Sequence, residues 1–175
     1  VLPKDVSDSI VDSLERDLIG GRARWIADLN EFFRDYNRTN TNFNLYARGR
    51  TRNRGLFLSR FFAWTALPDY SVSLFLISDN SLMSAERMRR NLESVSIAIR
   101  DDELQWAWLI VLCTRELPAH VVSFVSRYDR REIGLAVAST ASGQLVYSQN
   151  QLGRSIVKHL GLRKLLEKMN AGNTN

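Results

Sequence analysis

The sequence predicts an α/β (or α+β) protein, with a mixed β-sheet of about five strands covered by helices and preceded by an N-terminal helical pair. Three observations lead there. Past residue 70, β-branched apolar runs alternate with amphipathic segments. The first 36 residues place their large apolar side chains at helical spacing. The chain has 175 residues, 45% apolar and 10% aromatic, which is enough to bury a substantial core.

In the 5–19 stretch, Val6, Ile10, Val11, Leu14 and Leu18 line one helical face, and Gly20-Gly21 ends it. A second helix is expected over 22–36, where Trp25, Ile26, Leu29, Phe32, Phe33 and Tyr36 form one wide face. Such a face packs into a core or docks to a partner. Residues 37–42 are polar and poor in helix formers, and read as a loop. An Arg-x-Arg-x-Arg-x-Arg segment follows, then an apolar run over 56–66 that suits helix or strand and ends at Leu67-Pro68-Asp69.

The 71–78 segment, with Val72, Leu74, Phe75, Leu76 and Ile77, is expected to be a buried strand. A serine-capped helix over 81–92 comes next, with Leu82, Met83, Met88 and Leu92 inward and Arg87, Arg89 and Arg90 outward. Val95, Ile97 and Ile99 alternate with polar residues as in a half-buried strand, Asp101-Asp102-Glu103 would be its turn, and 104–113 the return strand. One long helix over 81–100 is the rival reading of the same residues. A helix over 118–128 starts with Pro at a first-turn position. A strand over 132–140, a Ser142-Gly143 turn and a strand over 145–148 make a hairpin, and a last helix covers 152–169. The domain reading is therefore an N-terminal helical extension over 1–44 that packs on or docks to the main domain, a basic linker and apolar segment over 45–69, and an α/β domain over 70–175.

Composition narrows the function classes. No apolar run approaches the roughly 18–20 residues a membrane-spanning helix needs, and no basic-then-apolar signal pattern opens the chain. Cys113 is the sole cysteine, so no intramolecular disulfide forms and a reducing, cytoplasmic compartment is expected. With only His120 and His159 beside it, no zinc site is expected. No P-loop or dinucleotide fingerprint is present, and no cofactor is implied.

Charge is the feature that points furthest. The net charge of +5 is concentrated: 48–64 carries +5 and 150–175 carries +4, while 1–44 and 65–149 carry −2 each. Twenty of the 24 basic residues are Arg, whose fork matches phosphate geometry. Arg48, Arg50, Arg52 and Arg54 share one face if extended, with Arg60 beyond them, and Tyr46, Phe57, Phe61 and Trp64 flank the cluster as surfaces for unpaired bases. Arg154 and Lys158, and Lys164 four before Lys168, make the outer face of the last helix basic. A polyanion, DNA or RNA, is the expected partner.

Candidate chemistry is sparse. Asp79, Asp101, Asp102 and Glu116 lie at strand ends or turns, where carboxylates hold Mg²⁺ in nucleases and more often are solvated caps. Cys113 sits in an apolar run, where a thiol is neutral and inert. The stretch 108–117, the helix after it, and Arg131-Glu-Ile-Gly-Leu-Ala-Val137 resemble the second half of the restriction-endonuclease-like nuclease superfamily over residues 81–140. That family carries an Asp and then a Glu-x-Lys on a hairpin. The resemblance implies Asp101 for the Asp, and it places Val111 and Cys113 at the Glu and Lys positions. It therefore implies a nuclease fold that binds without cutting.

The expectation is a non-catalytic nucleic-acid-binding protein that contacts phosphates through Arg48, Arg50, Arg52, Arg54, Arg60, Arg154, Lys158 and Lys164. The alternatives are an assembly subunit, docking to a protein or to a second copy through Trp25, Leu29, Phe32 and Phe33, and a divalent-metal nuclease using Asp79, Asp101 or Glu116.

Overall fold

The structure is a computed structural model that describes residues 3–51, 71–80 and 83–172. Among them are α1 (Pro3–Ile19), β1 (Ala27–Arg38), β2 (Thr41–Thr51), β3 (Ser71–Asp79), α2 (Ala85–Asp101), β4 (Trp106–Cys113), α3 (Ala119–Arg127), β5 (Ile133–Ser139), β6 (Leu145–Tyr147), α4 (Gln151–Leu160) and α5 (Leu162–Gly172). The expected α/β class is observed, with six strands rather than about five in one mixed sheet ordered β1-β2-β3-β4-β5-β6. β1, β2 and β3 are antiparallel neighbours, β3, β4 and β5 are parallel, and β6 returns antiparallel to β5. No described helix is long and apolar enough to cross a membrane.

Each face of the sheet has its own core. On one, α1, α4 and α5 cover Leu45, Ala47, Leu74, Trp108 and Ile110. On the other, α2 and α3 cover Phe75, Leu109, Val111, Leu135 and Val137. All eight residues of β4 are buried, which is why that strand reads as a continuous apolar run rather than an alternating one.

The helix expected over 22–36 is strand β1, and the reason lies in two irregularities. The register with β2 shifts between Leu29 and Glu31. Leu29 and Phe32, three apart, therefore both join the α1-side core. Further on, Asp35 has φ of 50° between the pairs Arg34–Leu45 and Tyr36–Phe43. Phe33 and Tyr36, again three apart, both face the α2 side, where they contact Tyr46. Two interruptions of a period-two strand thus imitate a helical stripe. The expected loop over 37–42 supplies only the tight turn at Thr39-Asn40, both residues at positive φ, between the ends of β1 and β2. The N-terminal pair is therefore one helix and one strand, and β2 runs across the expected boundary at residue 44.

The segment expected to be a strand over 94–99 lies in α2, as in the rival long-helix reading. Ser94 and Ser96 return their hydroxyls to the Arg90 and Leu92 carbonyls one turn back, so the alternating serines sit on a helix without needing a sheet. Ser84 caps α2 by accepting from the Arg87 amide. The 104–113 strand is accordingly no hairpin return; it pairs parallel with β3. The last helix is broken into α4 and α5 at Gly161, which takes φ of 66°. The 56–66 run lies outside the described residues.

Candidate functional site

Arg48 and Arg50 alternate along β2, opposite Ser73 and Ser71 of β3. They share the α2-side face with Tyr46, whose phenol oxygen accepts a hydrogen bond from Ser73 Oγ at 3.4 Å. Along this face runs an aromatic series. Tyr36 stacks on Tyr46 at 4.4 Å, Phe33 on Tyr46 at 5.7 Å, and Tyr46 meets Phe75 at 4.9 Å. Its outermost ring, Phe33, is 46% exposed. Burial raises the Tyr46 pKa, so that phenol stays neutral.

Among the described residues Arg48 makes no ion pair within 4 Å, although Glu31 stands opposite it on β1. Arg50 stands opposite Asp28. By contrast Arg38 bonds Asp102 at 2.5 Å and Asp101 at 3.3 Å, and Arg34 bridges Asp12 and Glu15 of α1. Those two arginines tie the hairpin to helices on either side of the sheet, while half-buried Arg48 has no ion pair among the described residues. Arg52, Arg54 and Arg60 lie outside the described residues, in the connection from Thr51 to Ser71, which starts and ends beside Arg50.

The structure does not bring the two basic segments together. Arg154 and Lys158 project from α4, and Lys164 from α5, all exposed, on helices that cover the opposite face of the sheet from Arg48. The docking set is also divided. Trp25 is 75% exposed and Phe33 46%, but Leu29 is buried at 7% and Phe32 packs against the α1-side core.

The carboxylates are similarly dispersed. Asp79 accepts a 2.7 Å ion pair from Arg87, Asp101 and Asp102 hold Arg38, and Glu116 is exposed. No group of three His, Cys, Asp or Glu able to hold a metal occurs among the described residues. Val111 and Cys113, the positions to which the nuclease resemblance assigns Glu and Lys, are buried in β4, and Asp101 ends α2. Burial, with Asp79 nearby, pushes the Cys113 thiol up to about 12, and His120 is exposed on α3. A buried thiol of raised pKa is predominantly neutral near pH 7.

With the geometry in hand, comparison adds no relative. No protein family, curated protein or solved structure matches this chain. Two surfaces were not singled out from sequence. One is the Phe33–Tyr46–Tyr36 stack, hidden because its members were assigned to a helix. The other is a groove between α2 and α3 of about 950 Å³, which gathers Arg89, Arg127 and Arg130. The outward arginines of α2 were legible from helical spacing, but their nearness to α3 was not.

Proposed function

We propose that this is a non-catalytic nucleic-acid-binding protein whose α2-side face over β1 and β2 meets an unpaired strand. The observation that carries the reading is Arg48, with no ion pair among the described residues, on the same sheet face as the exposed Phe33 ring and its stack. A guanidinium binds phosphate, and an exposed aromatic face accepts a base regardless of sequence. Arg50, Arg52, Arg54 and Arg60 extend the phosphate contacts from the end of β2. Arg154, Lys158 and Lys164 form a second, separate basic surface. Recognition is weakly sequence-specific, because phosphate contacts position a strand without reading its bases.

The proposal includes a nuclease-like domain that does not cut, since neither Asp-x-Lys nor Glu-x-Lys occurs anywhere in the sequence. Its test is fluorescence anisotropy with labelled single-stranded and duplex DNA and RNA at about 50 and about 200 mM salt, with Mg²⁺ present. Single strands should bind more tightly than duplex, with a steep loss at the higher salt and intact probe. No binding at low salt ends the reading, and cleavage returns the metal-nuclease alternative.

A second reading is favoured by one observation. Trp25 is 75% exposed and Ile19 59%, both in the stretch that leads from α1 into strand β1. Exposed apolar side chains near a strand that ends the sheet among the described residues suit docking to a second copy or another protein. Sedimentation at several concentrations tests it: an oligomer that Trp25→Ser dissociates supports docking, and a monomer throughout ends it.

A further inference from the structure

A second site is carried by the groove between α2 and α3, and it stands independently of the β1–β2 face. Arg89 and Glu93 enter it from α2, and His120, Phe124 and Arg127 from α3, with Tyr128, Asp129 and Arg130 closing one end. Its volume of about 950 Å³ falls in the range of ligand clefts, roughly 300–1,000 Å³. The wall is aromatic and cationic at once. The Arg89 guanidinium carbon lies 5.7 Å from the centroid of Phe124, whose ring is 6.4 Å from that of Tyr128.

The charged groups in the groove are held without ion pairs: Arg127 Nε donates to the Ser123 carbonyl at 3.3 Å, and Arg89 lies over Phe124. Arg89, Arg127 and Arg130 make no ion pair among the described residues, and neither do Glu93 and Asp129, although both signs line one cleft. Elsewhere on the molecule Arg22, Arg34, Arg38 and Arg87 are each bonded to a carboxylate, while Arg90, Arg115, Arg131, Arg154 and Arg163 resemble the groove arginines in having no ion pair among the described residues. Tyr128 lines the groove, and its hydroxyl is buried with no hydrogen-bond partner among the described residues.

A ligand suited to this arrangement needs an anionic group for the guanidiniums, hydroxyls for the carboxylates, and a flat ring for the wall. We propose that the α2–α3 groove binds a free nucleotide, its phosphates on Arg127 and Arg130, its ribose hydroxyls on Glu93 or Asp129, and its base against the Arg89–Phe124 pair. Phosphate alone satisfies only the cations, and a nucleoside alone leaves them unneutralised. The whole nucleotide is thus the class that uses all three features.

The test is calorimetric titration of the full chain with ATP, GTP, AMP, adenosine and inorganic pyrophosphate. At least one nucleotide should bind at millimolar concentration or tighter, and adenosine and pyrophosphate should each bind at least about tenfold more weakly. The Arg127→Ala/Arg130→Ala pair, both exposed and therefore neutral to folding, should weaken nucleotide binding by about tenfold or more. Phe124→Leu, which keeps an apolar side chain, should weaken nucleotide binding without changing that of pyrophosphate. Absence of nucleotide binding overturns the proposal, as does binding that the Arg pair leaves unchanged or pyrophosphate binding as tight as any nucleotide. A labelled oligonucleotide titrated into the same variants separates the two sites. Strand binding that survives the Arg127/Arg130 change while mononucleotide binding falls supports the proposal. Strand binding with no mononucleotide binding overturns it and leaves the reading of the β1–β2 face intact.

Discussion

The β1–β2 hairpin and the parallel unit β3–β4–β5 belong to one sheet but are built on different terms. In the parallel unit nearly every side chain is buried: all of β4, all of β5, and β3 from Val72 to Ile77. In β1 most side chains are exposed or half-buried, and the strand is interrupted at Leu29–Glu31 and at Asp35. The buried unit draws its stability from apolar area and packing on both faces. β2 shares those terms, placing Phe43, Leu45, Tyr46 and Ala47 in the two cores, whereas β1 holds to its neighbours largely by strand pairing and by polar ties, with Arg34 reaching α1 and Arg38 reaching the end of α2. What the hairpin gives up in burial it keeps as accessible surface, including Phe33 and Arg48. The lesson is a division within one sheet, in which the parallel strands bury their side chains on both faces and β1 leaves most of its own exposed or half-buried.

The largest expected effect should come from the parallel unit. Trp108 is fully buried and its Nε1 donates to Ser155 Oγ at 2.9 Å, tying β4 to α4. Trp108→Ala should cost about 3–5 kcal/mol in urea unfolding, while Phe33→Ala in the hairpin should cost less than about 1 kcal/mol. Equal losses would erase the contrast. Next in size is Gly49→Val. A Cβ there would lie 2.0 Å from the Asp28 carbonyl oxygen, so the residue should pry β1 from β2 and cost more than about 2 kcal/mol. Hydrogen exchange should then show β1 amides losing protection while β4 amides keep theirs.

A smaller effect concerns pH. Cys113 and Tyr128 both have pKa values pushed up to about 12, chiefly by burial. Each therefore favours the folded state fully below its unfolded pKa, near 9.0 for the thiol and 10.0 for the phenol. That contribution should be lost as pH rises through the folded values. Unfolding followed from pH 8 to 12 should show stability declining over this window, and the Cys113 thiol should resist alkylation at pH 8 until denaturant is added. Rapid alkylation of the folded protein would contradict its burial. The smallest stability effect belongs to Arg48→Ala, within about 0.5 kcal/mol of the parent. Its oligonucleotide affinity should nevertheless fall and its salt dependence flatten, by anisotropy at two salt concentrations.

The contrast between the two regions also governs how far the sequence could be read. Runs such as Val72–Ile77 and Trp106–Cys113 announce strands because a strand buried on both faces has to be apolar throughout. Helix α3 was legible from Pro118 and its spacing. β1 was not, because each interruption moved its apolar residues from spacing two to spacing three. The stretch 94–99 misled in the opposite sense, since helical serines bonded to their own preceding turn looked like the polar half of a strand. Of the candidate site, Arg48 and Arg50 at spacing two were read as a shared face, and β2 is extended as that reading requires. Their company was hidden, because Tyr46, Phe33 and Ser73 meet them only through strand pairing.

Composition and apolar patterning by themselves determined the α/β class and the strands over 71–78 and 104–113, because these follow from side-chain chemistry and local periodicity; that the two strands run parallel did not. Tertiary structure decided the rest. It made the 27–38 segment an edge strand and put Arg48 and the α4–α5 basic residues on opposite faces. It also drew Arg89 on α2 toward Arg127 and Arg130 across the α2–α3 groove. The physical reason is that strand register and helix placement depend on contacts between residues far apart in the chain, and a single bulge is enough to turn a side chain from one face of the sheet to the other.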